Sequence, residues 1–161
     1  MAGKTRHSTD EDDPESHDRP KLTVLSGSIG YLIRRAQLAV FDDFIRSFAA
    51  VGLRPAQFSV LAIVEENPGL KQSEIAAALG IQRTNFVAMM DELEQRGLAT
   101  RTPSKSDRRS YAVKLTPEGR ALLKQALDLH AAHEARITAR IGARSRDELV
   151  RLLTAIAQPE P

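Results

Sequence analysis

The sequence predicts a mainly α-helical fold with one small β-hairpin, and three observations carry that prediction. Between Leu70 and Leu115, two short apolar-periodic helices are separated by a tight Gly80-Ile81 turn and followed by two β-prone runs. Gly97 stands where the second helix must stop, and only glycine enters the left-handed region without strain. Long apolar segments flank this stretch on both sides. Helix, turn, helix and hairpin in that order make a winged helix–turn–helix, with helices from both ends of the chain around it.

In chain order, residues 1–20 hold six acids and three bases and almost nothing that can be buried. They read as a disordered acidic tail. Its bland role is to keep the chain soluble; the sharper one is a weak mimicry of DNA against a basic body. Residues 21–52 read as an N-terminal dimerisation helix. Its apolar residues, from Ile29 through Leu32, Ile33, Phe41 and Phe44 to Phe48, cover more than one stripe and demand burial on several sides. Residues 53–116 are expected to form the winged helix–turn–helix lobe. Its first helix starts at Arg54-Pro55, with proline in a tolerated first-turn position, and ends at the Asn67-Pro68-Gly69 loop. Residues 117–158 are expected to form two C-terminal dimerisation helices. Thr116 as N-cap, Pro117 at N1 and Glu118 in the first turn open one of them, which runs to Ile141. A Ser145-x-x-Glu148 capping box is expected to open the other.

Charge says what the lobe is for. The chain carries a net charge of only +2, but residues 21–161 hold 20 bases and 15 acids. From Arg101 to Lys114 lie Arg101, Lys105, Arg108, Arg109 and Lys114 against a single acid, Asp107. A hairpin tip this basic suits a phosphate backbone or a narrow minor groove. The second helix sets Phe86, Met90 and Leu93 on its apolar face, which leaves Gln82, Arg83, Thr84, Asn85 and Ala88 for another purpose. In a helix–turn–helix the start of the second helix meets base edges in the major groove. Arginine pairs bidentately with guanine, asparagine or glutamine with adenine, and a small side chain fits a thymine methyl.

Other classes fall away. With no cysteine there is no disulfide, thiolate zinc site or thiol redox chemistry. No apolar run reaches the ~20 residues that cross a bilayer, and no signal-peptide core is present, so a cytoplasmic protein without a membrane partner is expected. An enzyme is not expected: there is no Gly-rich phosphate loop, nucleophile motif or metal triad. No cofactor is expected either. Two alternatives stay open, a winged-helix protein-interaction module without DNA binding and a metal-responsive regulator. The second rests on His130-x-x-His133-Glu134, a spacing that can hold a metal on one helix face.

The pattern resembles the MarR family of bacterial transcriptional regulators. The likeness runs over residues 25–158. It is carried by Gly52-Leu53-Arg54-Pro55-Ala56-Gln57-Phe58, by Gln72-Ser73-Glu74-Ile75-Ala76, and by Leu93-Glu94-Gln95-Arg96-Gly97-Leu98. Asp107-Arg108-Arg109-Ser110, leading to Leu115-Thr116-Pro117-Glu118-Gly119, completes it. The resemblance implies a homodimer joined by its first and last two helices, on a pseudo-palindromic double-stranded operator. It implies recognition helices in successive major grooves and wings in the minor groove, with Arg109 as the wing arginine and Asp107 as the acid orienting that loop. It also implies repression relieved by a small phenolic or other aromatic acid. Where the family often has Ser or Thr to cap the two helix–turn–helix helices, this chain has Lys71 and Gln82, poor N-caps. DNA phosphates are expected to cap them in part, which adds Lys71 to the DNA-facing residues.

A candidate effector site follows from Arg34 and Arg35, adjacent cations in an apolar helix. One reading pairs them with Asp42, Asp43 or Glu134. The other makes them an anion clamp for a carboxylate or for the phosphates of a CoA thioester, with Tyr31 and Phe58 as aromatic wall.

Overall fold

The computed structural model describes residues 21–103 and 111–158. The chain divides into two compact units, residues 1–36 and 37–161. Helix α1 (Ile29–Ser47) begins in the first and continues in the second.

In the first unit the chain turns before it becomes helical. The Leu25 and Ser26 N–H groups both donate to the Leu22 carbonyl, at 2.9 and 2.8 Å, and Ser28 N–H donates to Leu25 at 2.9 Å. Helix α1 therefore starts seven residues later than the apolar content from Leu22 suggests. Turn hydrogen bonds satisfy the backbone at 22–28, and Gly27-Ser28 favours a turn over helix interior.

The second unit holds α2 (Pro55–Glu66), α3 (Gln72–Ala78), α4 (Arg83–Gln95), β1 (Ala99–Pro103), β2 (Tyr111–Leu115), α5 (Pro117–Ile141) and α6 (Ala143–Ala157). The strands pair antiparallel, from Ala99 opposite Leu115 to Pro103 opposite Tyr111. A bridge from Lys71 to Ala112, with Val113 N–H on the Leu70 carbonyl at 3.1 Å, ties the loop before α3 to the hairpin. The core is built where these elements meet. Phe44 and Phe48 stack at 3.7 Å, and Phe58 of α2 leans on both. Val60, Leu61, Ile75, Phe86, Met90, Leu93 and Val113 are closed to solvent around them. Fully burying a side chain of this size contributes about 1.5–3 kcal/mol.

Glycines set both turns of the reading unit. Ile81 N–H donates to Ala76 and Gly80 N–H to Ala77, with Gly80 at φ +62°; the same closure recurs at Gly97, φ +67°. Thr116 caps α5 as its sequence predicts, accepting from Gly119 N–H at 2.9 Å. Gly119 has a second reason to be glycine, since a Cβ there would lie 1.9 Å from the Leu98 carbonyl oxygen. The capping box expected at Ser145 does not form. Gly142, at φ +86°, lets α6 begin at Ala143, two residues before the serine.

Asp43 joins α1 to α5. His133, 2% exposed, places Nδ1 2.7 Å from one Asp43 oxygen, and Arg136 donates to both oxygens at 2.8–3.2 Å. Arg136 first, then His133, hold the Asp43 carboxyl well below the usual carboxylate range. A depressed carboxyl pKa adds stability that is present above the unfolded value, ~3.9, and is lost as pH falls from there towards the folded one. Asp43→Asn is therefore expected to lower the denaturation midpoint clearly at pH 7 and much less only at about pH 2, nearer the folded pKa. Urea titrations at both pH values check this, and an equal loss at each would exclude the ion pair as the source.

Among the described residues, no helix is long and apolar enough to cross a membrane.

Candidate nucleic-acid interface

Helix α4 is amphipathic by spacing, and its packed side decides what the other side is free to do. Phe86, Met90 and Leu93 are buried, each within 1% of full closure. That fixes the helix rotation and leaves Gln82, Arg83, Thr84, Asn85, Val87 and Ala88 exposed along the N-terminal half. Gln82, the N-cap, provides no side-chain cap, so the N–H groups of the first turn remain open to an acceptor from outside. The five residues expected to read DNA are thus all exposed, with Arg83 bordering a cleft beside α3 and with Asn85 and Ala88 bordering another beside Phe41 and Ile45.

Helix α3 packs against α4 and starts at Lys71. Here the backbone needs less from outside than the sequence suggests: Lys71 N–H donates to Glu74 Oε2 at 2.7 Å. Beside it lies a cleft of about 430 Å³ lined by Lys71, Gln72, Ser73, Arg83, Val87 and Tyr111. Two of those side chains are cations and two carry hydroxyls. Gln72 Oε1 is buried without a hydrogen-bond partner among the described residues. Half-buried Lys71 and exposed Arg83 and Tyr111 belong to one surface with the recognition helix. Tyr111 was not legible as part of it, because a strand tyrosine carries no charge signal.

Arg101 is paired with acids of the recognition helix. It was grouped with the DNA-facing cations, but its side chain is turned onto α4 and only 23% exposed. Its guanidinium bonds Glu94 and Asp91, and its own N–H donates to Glu94 at 2.6 Å. The paired acids raise its pKa above the ordinary arginine value. A count of charge along the hairpin cannot see partners seven and ten residues upstream. The remaining wing residues of the sequence reading, Lys105, Asp107, Arg108 and Arg109, lie outside the described residues.

Comparison with known proteins decides the family. The MarR family profile matches residues 53–111, from the end of the α1–α2 corner to the first residue of β2. The putative transcriptional regulatory protein for the hcr operon of Thauera aromatica is 32% identical over 143 residues, covering 87% of this chain and 86% of that protein. The chain belongs to the MarR family. Among solved structures, the transcriptional repressor CouR bound to a 23-mer DNA duplex superposes with a TM-score of 0.82 at 52% identity, over 87% of this chain and 99% of that one. CouR bound to p-coumaroyl-CoA gives 0.82 at 48%, over 88% and 100%. This MarR-type chain is a DNA-binding transcriptional regulator, and its helices and two-stranded wing match the winged-helix architecture of those structures.

The residues expected to hold an effector fall in both units of the regulator. Tyr31 is half-buried, and Arg34 and Arg35 are exposed, on the first half of α1. At i, i+3 and i+4 they share a helix face. Phe58 belongs to the core of the second unit: 8% exposed, its ring stacks on His130 at 4.9 Å and leans on Phe44 and Phe48. It is a packed ring and not an open aromatic wall. The acids weighed as arginine partners also meet cations within this unit. Asp43 takes His133 and Arg136, Asp42 lies 3.8 Å from Arg46, and Glu134 lies 3.8 Å from Arg146. The two histidines are used in packing and in the Asp43 bond. Among the described residues no group of three or more His, Cys, Asp or Glu is placed to hold a metal.

Proposed function

We propose that this MarR-type regulator is a repressor that binds a pseudo-palindromic operator as a homodimer. An anionic aromatic ligand, an aromatic acid or its CoA thioester, releases it. The observation that carries the DNA half is the exposed row Gln82, Arg83, Thr84, Asn85 and Ala88 on a recognition helix whose other face is locked in the core. Lys71 joins that row across the shared cleft. Lys105, Arg108 and Arg109 are proposed to carry the wing's contacts to the backbone and minor groove, with Asp107 orienting the loop. The effector half is supported by Tyr31, Arg34 and Arg35 on one helix face, a cationic pair beside an aromatic ring. CouR, the similar repressor, is seen both with DNA and with p-coumaroyl-CoA. Phe58 contributes by holding the aromatic cluster in shape. No catalytic role is proposed for any residue.

Selection of duplexes from a randomised pool tests the DNA reading. The unmodified protein is expected to enrich an inverted repeat with half-site centres one helical turn, ~34–36 Å, apart. Arg83→Ala and Asn85→Ala are each expected to relax preference at particular positions by ~1–3 kcal/mol. A uniform loss across all sequences would reduce both residues to phosphate contacts. Failure to enrich any duplex would favour a protein-interaction module instead.

A further inference from the structure

Asp91 and Glu94 sit three residues apart on α4, downstream of the residues that face DNA. Two carboxylates on a recognition helix work against binding a polyanion unless they serve something else. They hold Arg101. Glu94 Oε1 accepts the Arg101 backbone N–H at 2.6 Å, and Glu94 Oε2 accepts Nε at 2.9 Å. The terminal nitrogen of the same guanidinium bonds both Glu94 and Asp91. One carboxylate thus grips main chain and side chain of a single strand residue, and the second closes the fork. The arginine side chain is 23% exposed and Glu94 29%. This is a bidentate, partly desolvated arrangement, unlike an isolated surface pair, which contributes little. Arg101 also stands at the centre of β1, opposite Val113 of β2, so what holds it holds the hairpin's base.

We infer that Arg101 is a positioning residue: through Asp91 and Glu94 it fixes the base of the wing at one angle to the recognition helix, so that both DNA-reading elements move as one body. The inference rests on the DNA-binding reading above. On the duplex the hairpin and α4 have to fit neighbouring grooves simultaneously, and a fixed angle removes the cost of ordering them upon binding. Arg101 serves DNA binding without touching DNA.

A direct contact and a brace give opposite results in a mutant cycle. Affinity is measured for the duplex that the unmodified protein selects, with thermal unfolding alongside. Glu66→Ala/Asp128→Ala, which removes two exposed acids on α2 and α5, corrects for the two charges removed. As a brace, Asp91→Ala/Glu94→Ala weakens binding roughly tenfold after that correction, within the range for residues in one hydrogen-bonded network. Arg101→Ala weakens it to a similar degree, and adding Arg101→Ala to the acid-free variant costs little more. Arg101→Lys fails to restore affinity, because an ammonium cannot span two carboxylates as a fork does. The inference is overturned if removing the two acids leaves corrected affinity unchanged or improves it while Arg101→Ala lowers it. Full affinity in Arg101→Lys overturns it too. If the unmodified protein selects no duplex, the failure lies with the DNA reading and the brace has nothing to position.

Discussion

Replacing Ile156 with glutamate is expected to convert the protein to monomers and to abolish its stable binding to a full operator. Helix α6 has no buried residue, yet it presents Leu149, Val150, Leu152, Leu153 and Ile156 to solvent, the last at 58%. Leu149, Leu152, Leu153 and Ile156 fall at helical spacing on one stripe, and on α1 Phe41 and Ile45 are exposed as well. Apolar surface of this extent marks an interface. A second copy is the occupant proposed here, and a carboxylate forced into it unpaired costs several kcal/mol. The DNA consequence is larger still. Two linked reading heads gain from the effective concentration of the second after the first has bound, a factor of about 10²–10⁴ that a monomer forfeits. Phe41→Asp should act alike. Sedimentation equilibrium and a gel-shift titration on the same samples check both. A monomeric unmodified protein that still binds the full palindrome tightly would sink the two-headed reading.

The second large effect concerns release. A ligand changes DNA affinity only by its differential affinity for the DNA-competent arrangement, and ~1–3 kcal/mol of coupling gives a 5- to 150-fold change. With p-coumaroyl-CoA as first probe, chosen because CouR is seen with it, operator binding is expected to weaken by a factor in that range. Reciprocity requires operator DNA to weaken ligand binding by the same factor. Arg34→Ala and Arg35→Ala should each reduce ligand affinity without changing binding to ligand-free operator. Calorimetry on free and DNA-bound protein measures all of these terms. If both variants bind an effective ligand as tightly as the unmodified protein, the two arginines do not form an anion clamp.

The reading unit was legible because its signals are local. The Gly80 and Gly97 turns, the Phe86–Met90–Leu93 stripe and the Thr116-Pro117 start each lie within a few residues of the structure they specify. The start of α1 was less legible. Leu22 and Leu25 look like helix by apolar content, but hydrogen bonds of the turn keep them out of it. Ser145-x-x-Glu148 has the letters of a capping box, yet Gly142 begins the helix before the serine can cap it. The candidate site was less legible where charge has a distant partner. Arg101 looks like a phosphate ligand until Glu94 is seen beside it, and Phe58 looks like an open wall until three other rings surround it. His133 looks like half a metal site, whereas its Nδ1 meets Asp43, ninety residues away.

Helix α5 connects two places that the chain keeps far apart in sequence. At its start, Thr116 donates its hydroxyl to the Gly97 carbonyl at 2.6 Å and its N–H to Leu98 at 3.1 Å, and Gly119 rests on the Leu98 carbonyl. Further along, His133 and Arg136 grip Asp43 beside the aromatic cluster. The span between these grips is one uninterrupted helix, about 25 Å at 1.5 Å per residue. Such a rod couples its two ends geometrically. A tilt of about 5° about the Asp43 end would carry the root of the hairpin roughly 2 Å, by the geometry of a rigid helix of that length. A rearrangement among Phe44, Phe58 and His130 that tilted the helix by that much would shift the hairpin's root by a distance that a DNA groove can register.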